Sequence, residues 1–569
     1  MSGKSRARVF RRADGRLLVT GLVMLLAWTG IGYQLFRVQV VQAEEYSARS
    51  LDQRLTEKTF APHRGTIFDR AGREIAVTVD GVTVFANPRQ IEDPVITGRL
   101  VAAALRLDES DVIAKLERET SFVFIQRQLE SAQVAQLREM ALEGIYFETE
   151  AKRAYPAGTM AAQTIGFVDI DGIGMEGLEY RYDEALSGEP GYVIYERDPR
   201  GRTIPDARGL YQSVPAEPGN DLVTTLDLSI QFMAEEACVE TIERTNAKAC
   251  TIVVLDPKTG EIMAMAVVPT FDPADRSGVD PEVFSNRAVR SLYEPGSTQK
   301  LVTVAAALEE NAVEWNTSFD VPYSIEVVDQ VFEDFGENRP TRSMTVRDIV
   351  TVSSNVGTIL IQQRLGDSLL RQYLHDFGYG ESTGVDFSGE ATGALSVDPS
   401  CGSCTASAAI GYSVSVTPLQ MASVYATIAN GGVWVQPHLV KEIIDGTGVT
   451  NPVEAATRRV VSPATAFTMR TLLRSVVDEG TGQRAAVPGY SAGGKTGTTL
   501  KIINGSYSED EHMASFIGMA PIDDPRLVVA VVIDRPIDGY TGGQAAAPAF
   551  ATVMEKALHY LGVEPDAGR

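Results

Sequence analysis

The sequence predicts an α/β domain, an antiparallel sheet sandwiched by helices, preceded by a mixed pedestal segment and a single apolar N-terminal helix. Three observations carry this. Residues 251–255 and 261–267 lie either side of the turn Asp256-Pro257-Lys258-Thr259-Gly260 and read as a hairpin. Two more strand-like runs, 512–519 and 527–533, lie near the C-terminus. The text between the two groups is largely helical, and 546–561 reads as a closing helix ahead of which lies Gly542-Gly543 to Ala547-Pro548. Antiparallel strands at both ends, with helices between and after them, close into one covered sheet.

The N-terminus comes first. Residues 1–16 hold Lys4, Arg6, Arg8, Arg11, Arg12 and Arg16 against Asp14, a local net charge of +5. Residues 17–36 are uncharged, close to the ~20 needed to cross a bilayer, and Arg37 closes the run. Basic residues before one span place 1–16 in the cytoplasm, 17–37 in the membrane and the rest outside. Val41-Gln42-Ala43 resembles a signal cleavage site, but the apolar run exceeds the ~7–15 residues of a signal core, so a retained anchor is expected. Of the chain's net charge of −24, the part after the tail carries −29, which argues against a nucleic-acid partner.

Residues 38–215 show no catalytic constellation. They contain the run Arg64-Gly65-Thr66-Ile67-Phe68-Asp69-Arg70-Ala71-Gly72, strand-like text at 75–85, then Arg153-Ala154-Tyr155-Pro156-Ala157-Gly158 and Gly172-Ile173-Gly174-Met175-Glu176-Gly177-Leu178-Glu179. These read as turns with charged partners. Pro215-Ala216-Glu217-Pro218-Gly219-Asn220 reads as a linker, so the second domain is 216–569, where Asp227 caps a helix to about Thr245. Four cysteines in an exported chain invite pairing. Cys401-Gly402-Ser403-Cys404 has no thioredoxin-like unit around it, so a loop disulfide is expected there. A zinc set with Cys238 and Cys250 is the second reading, and the connectivity stays open.

Three motifs carry the chemistry: Ser297-Thr298-Gln299-Lys300, Ser353-Ser354-Asn355 and Lys495-Thr496-Gly497-Thr498. Pro295-Gly296 followed by the apolar run 301–308 marks a helix start, where the macrodipole favours an alkoxide at Ser297. Lys300 lies three residues on, on the same face. It serves as base if burial or a nearby cation lowers its pKa, and Lys495 can be that cation. Ser353 can relay a proton to a leaving amine, and the Asn355 amide can both donate and accept. Thr496 and Thr498 offer hydroxyls to a carboxylate on the strand that includes Gly497. The N–H groups of Ser297 and Thr498 form the expected oxyanion hole. Each motif alone is a common accident; their order and context overturn that.

Two other patterns overlap the third motif. Residues 489–496 fit the P-loop G-x-x-x-x-G-K-[ST], and Gly489-Tyr490-Ser491-Ala492-Gly493 fits the G-x-S-x-G elbow. Both require a helix to follow, whereas 497–503 reads as strand or loop. The five histidines (His63, His375, His438, His512, His559) form no ligand cluster, and no metal or cofactor is expected.

With these residues in place, the chain resembles the class B penicillin-binding proteins over nearly its whole length, most closely the cell-division (FtsI-type) peptidoglycan D,D-transpeptidases. Asn286-Arg287-Ala288, the Tyr293-Glu294-Pro295-Gly296 approach to Ser297 and Val416-Thr417-Pro418-Leu419-Gln420 add to the match. The resemblance implies a serine β-lactamase-like transpeptidase fold, with Ser297 attacking D-Ala-D-Ala stem peptides and trapped by β-lactams. It also implies a membrane-embedded FtsW-type glycosyltransferase and other divisome proteins as partners, and a place in the plasma membrane at the septum with the catalytic domain on the periplasmic side. Cys401 and Cys404 depart from the family pattern. Rival readings are the elongation-specific relative, a D,D-carboxypeptidase or β-lactamase-type hydrolase, and a β-lactam sensor. A β-lactamase would be about half as long, and sixteen tail residues leave no room for a sensor's effector.

Overall fold

A computed structural model describes residues 6–52, 55–196, 212–397, 401–503 and 505–566. Lys4 of the basic tail lies outside them. They divide into two compact units, one built from 1–62 and 189–217, the other from 63–188 and 218–569.

The first unit contains the helix Arg6–Phe36 and a three-stranded antiparallel sheet in which Gly191–Glu196 lies between Leu55–Phe60 and Gln212–Val214. The segment Gly15–Val41 is the one candidate span among the described residues, and none of its apolar window is buried within the protein. A helix this apolar, with that window left exposed, fits a single-pass membrane anchor.

The second unit opens inside the segment expected to be the pedestal, whose ends, 38–62 and 189–215, belong to the first unit. Its long strand Glu74–Ala86 pairs antiparallel with both Val123–Leu129 and Ile145–Ala154. The same sheet continues through Ile67–Phe68 and Asp221–Thr224 to Val440–Ile444 and Thr450–Pro452, so strands from the C-terminal half complete it. The turn motifs meet on one carboxylate. Arg64 Nε donates to Glu179 Oε2 at 2.7 Å and Arg153 Nε to Glu179 Oε1 at 2.7 Å, with Glu179 fully buried. Removing either cation would leave a buried charge underpaired, a cost of about 3–5 kcal/mol.

In the catalytic part, α1 (Leu228–Thr245) precedes the hairpin β1 (Ala249–Leu255) and β2 (Ile262–Val268). Helices α2 (Lys300–Glu309), α3 (Val346–Val352), α4 (Asn355–Leu365) and α5 (Pro418–Ala429) follow. Strands β3 (Gly493–Ile503), β4 (Ser506–Ala520) and β5 (Leu527–Asp534) and helix α6 (Gly542–Tyr560) end the chain. The five strands form one antiparallel sheet in the order β2-β1-β5-β4-β3. Alternation along the strands sorts the core. Ile252, Val254, Val529 and Val531 face one layer with α1 and α6, while Val253, Leu255, Val528 and Ala530 face the other with α2 and α5.

Helix α6 starts at Gly542, four residues before the expected start, so Gly542-Gly543 to Ala547-Pro548 forms its first turns rather than preceding it. Pro548 has no N–H to give the carbonyl of Gln544. Arg244 takes that role, donating from Nη1 to Gln544 O at 3.0 Å and from Nη2 to Ala545 O at 2.8 Å. All four cysteines pair, Cys238 with Cys250 and Cys401 with Cys404, which excludes the zinc reading.

Candidate active site

Ser297 sits in a 3₁₀ turn, Gly296–Gln299, and α2 begins at Lys300, so the nucleophile candidate lies just ahead of the α-helix rather than within its first turn. The turn is wedged in place. Gly296 has φ +54°, and its N–H donates to Gly411 O at 3.0 Å. Helix α2 is buried on every side from Lys300 to Ala307, so it cannot tilt without opening the core.

The second motif is the junction of two helices. Ser353, at φ +62°, closes α3 in the left-handed conformation. Ser354 then caps α4, its Oγ accepting from Gly357 N at 2.9 Å, and Asn355 is the first helical residue. This folds the side chains of the motif back toward α2. Lys300 Nζ donates to Ser353 O at 2.7 Å and to Asn355 Oδ1 at 2.7 Å, with Ser353 Oγ at 3.3 Å. Asn355 Nδ2 donates to Glu333 O at 2.9 Å, so both ends of this amide hold protein groups.

The third motif lies on β3, paired with β4. Thr496 and Thr498 line the cleft. Thr496 Oγ1 lies 2.9 Å from Thr481 Oγ1, and Thr498 Oγ1 accepts from Gly542 N at 2.9 Å. Gly497 is required by close approach, since a β-carbon there would lie 2.8 Å from Pro295 O. Lys495 is buried, 1% exposed, on the same strand.

The electrostatics follow from this burial. Lys300, 2% exposed, is held well below the usual lysine pKa, first by desolvation and then by the charge of Lys495, with Asp334 opposing. Burial also brings Lys495 down to about 7.

The cleft has a volume of about 560 Å³, the size of a small-molecule or peptide pocket. Ser297, Ser353, Asn355, Thr496 and Thr498 all line it. Lys300 and Lys495 lie buried beneath this surface. Neither overlapping pattern has the context it requires: Lys495 lies within a strand, and Ser491 is buried, its hydroxyl bonded to Asp566 and Ile522 N.

Several residues of the site were given no role from the sequence. Asp334 accepts from Ser354 Oγ at 2.9 Å and from Val356 N at 3.0 Å, and it pairs with Arg339. Glu294 accepts from Ser413 N at 2.8 Å and from Tyr507 OH at 3.0 Å. Phe335 and Tyr540 line the cleft and are solvent-exposed. Of these, Glu294 alone stood in a run singled out from the sequence.

Comparison with known proteins agrees with this geometry. Residues 250–555 match the penicillin binding protein transpeptidase domain, and 59–224 match the penicillin-binding protein dimerisation domain. The chain is 36% identical to Stage V sporulation protein D of Bacillus subtilis, covering 99% of this chain and 87% of that one. It is 30% identical to the peptidoglycan D,D-transpeptidase FtsI of Escherichia coli, covering 89% and 84%. The crystal structure of penicillin binding protein 3 from Mycobacterium tuberculosis, complexed with aztreonam, superposes with a TM-score of 0.71 at 30% identity, covering 90% and 98%.

Proposed function

The chain belongs to the class B penicillin-binding proteins and is a peptidoglycan D,D-transpeptidase, and from that premise we propose how its residues divide the reaction. Ser297 Oγ attacks the carbonyl of the penultimate D-Ala, and its proton passes to the neutral Lys300 Nζ. The N–H groups of Ser297 and Thr498 hold the oxyanion. The C–N bond then breaks, with Ser353 returning the proton to the departing D-Ala amine. An amine of a neighbouring stem peptide attacks the acyl-enzyme, loses its proton to the same relay and frees Ser297. One amide breaks and one forms. Lys495, Thr496 and Thr498 hold the terminal carboxylate, while Asn355 keeps Lys300 in place.

The observation that carries this reading is the pair of 2.7 Å bonds from Lys300 Nζ to Ser353 O and Asn355 Oδ1. A neutral amine has two N–H groups, and these two acceptors use both, which leaves its lone pair for a hydroxyl in the cleft. Release of D-Ala from a stem pentapeptide with an acceptor amine present tests it: wild type should form the cross-linked dimer, and Ser297→Ala and Lys300→Ala should form none. Cleavage to tetrapeptide without dimer would favour the hydrolase reading.

The same reading gives a cytoplasmic tail at 1–16, an anchor at 17–37, a pedestal at 38–215 and a catalytic domain at 216–569 facing the periplasmic side. β-Lactams acylate Ser297; the aztreonam complex of the Mycobacterium tuberculosis protein supports this. The place of action is the septum, beside an FtsW-type glycosyltransferase and other divisome proteins, supported by the relation to FtsI. A fluorescent fusion should band at midcell during constriction; scattered side-wall foci would favour the elongation reading.

A further inference from the structure

A second cavity, of about 260 Å³, adjoins the catalytic elements without sharing a lining residue with the cleft. It gathers five charged side chains into one alternating chain. Lys248 Nζ lies 3.6 Å from Glu282 Oε1, and the same oxygen lies 3.0 Å from Arg287 Nη2. Arg287 Nη1 lies 3.0 Å from Asp534 Oδ2, and Lys501 Nζ pairs with Asp534 Oδ1. Three cations therefore share two carboxylates. Glu511, 3.9 Å from Lys501, is itself paired with Arg535 at 3.4 Å. The lining keeps a net charge of +1 in a chain whose total is −24.

Its unused donors sit at one end. Lys248 has three N–H groups and a single carboxylate partner at 3.6 Å, and its side chain is 48% exposed. Beside the charges the lining is apolar, with Leu292, Pro418, Met513 and Val532, and Met513 is the cross-strand partner of Asp534. A cavity that combines one surplus positive charge with aliphatic lining is complementary to an amphiphilic monoanion. We propose that it binds a small monocarboxylate with a compact apolar body, at a site separate from the catalytic cleft.

The site also bears on catalysis by position. Tyr293 lines it four residues before Ser297, and Lys501 lies on β3 three residues after Thr498. These two walls are already tied by Thr499 Oγ1 donating to Glu294 O at 3.1 Å. A ligand lodged between them adds a second tie between the nucleophile segment and β3.

Saturation-transfer NMR on the full-length protein in detergent tests this, with the cleft first blocked by benzylpenicillin. The probes are 3-methylbutanoate and, as the charge-reversed control, 3-methylbutylamine. The acylation gel checks separately that the cleft is blocked and that each variant is folded. The expected result is saturable binding of the carboxylate and not of the amine. Binding should weaken about tenfold or more in Lys248→Glu, which turns the lining from +1 to −1. Ser291→Trp, which fills the cavity without changing its charge, should abolish it, and Lys258→Glu, a surface lysine elsewhere, should bind like wild type. Absence of saturable carboxylate binding, equal binding of the amine, or wild-type binding by Lys248→Glu or Ser291→Trp would overturn the proposal.

Discussion

Lys300 Nζ donates to Asn355 Oδ1 at 2.7 Å, so the second motif grips the lysine of the first. Asn355 is in turn fixed at its other end by Glu333 O. Replacing Asn355 by Ala leaves the lysine free to swing and its N–H groups short of one acceptor. The expected effect is a loss of about 10²-fold or more in the acylation rate constant, in the range of a misaligned general base. Stopped-flow labelling with a fluorescent penicillin reads it. A rate within threefold of wild type would contradict the positioning role.

The two buried lysines set opposite limbs of a pH profile. Lys300 must be neutral to accept the proton, so acylation should rise with pH through its lowered pKa. Lys495 must be charged to hold a carboxylate, so acylation should fall as pH rises through about 7. Lys495→Arg keeps its charge at all accessible pH values. That variant should lose the alkaline limb even if its maximum is lower, and a profile with an unchanged alkaline limb would assign it to another group.

Asp334 acts at one remove, through Ser354 and Val356. Its charge also favours the protonated form of Lys300. Asp334→Asn should therefore cost about 1–3 kcal/mol of stability through the weakened buried hydrogen bonds. It should also move the acid limb of the pH profile to lower pH, because Lys300 then loses its proton more easily. A purely structural role would lower the melting temperature and leave the limb where it is.

The disulfides should differ in consequence. Cys238–Cys250 is buried between α1 and β1 and closes a separation of 12 residues, so its removal should cost about 2–4 kcal/mol. Cys401–Cys404 spans a separation of only three and contributes no lining residue to the cleft. Its replacement by two serines should leave the acylation rate near wild type. Loss of acylation in that double variant would show the loop to be part of the site.

The sequence was legible where chemistry or periodicity is local. The hairpin of β1 and β2 appeared because both its faces are apolar and a Pro-Gly turn separates the strands. Ser491 could be set aside because no helix follows it. The start of α6 was not legible, since Pro548 argues for a helix boundary unless something satisfies the Gln544 carbonyl. That partner, Arg244, lies 300 residues away. Asp334 was invisible for a similar reason: a short hairpin carries it to Ser354, and no local pattern marks a carboxylate that works through tertiary contact. The convergence of Arg64 and Arg153 on Glu179 is also tertiary, although each stood out as a charged turn residue.

The identity of the nucleophile is tested most directly by peptide mapping of the penicillin adduct. Full-length protein is labelled with benzylpenicillin, digested and read by tandem mass spectrometry. The mass increment is predicted on Ser297 alone, with no adduct in Ser297→Ala and normal labelling in Ser491→Ala. An adduct on Ser491, or full labelling of Ser297→Ala, would contradict it.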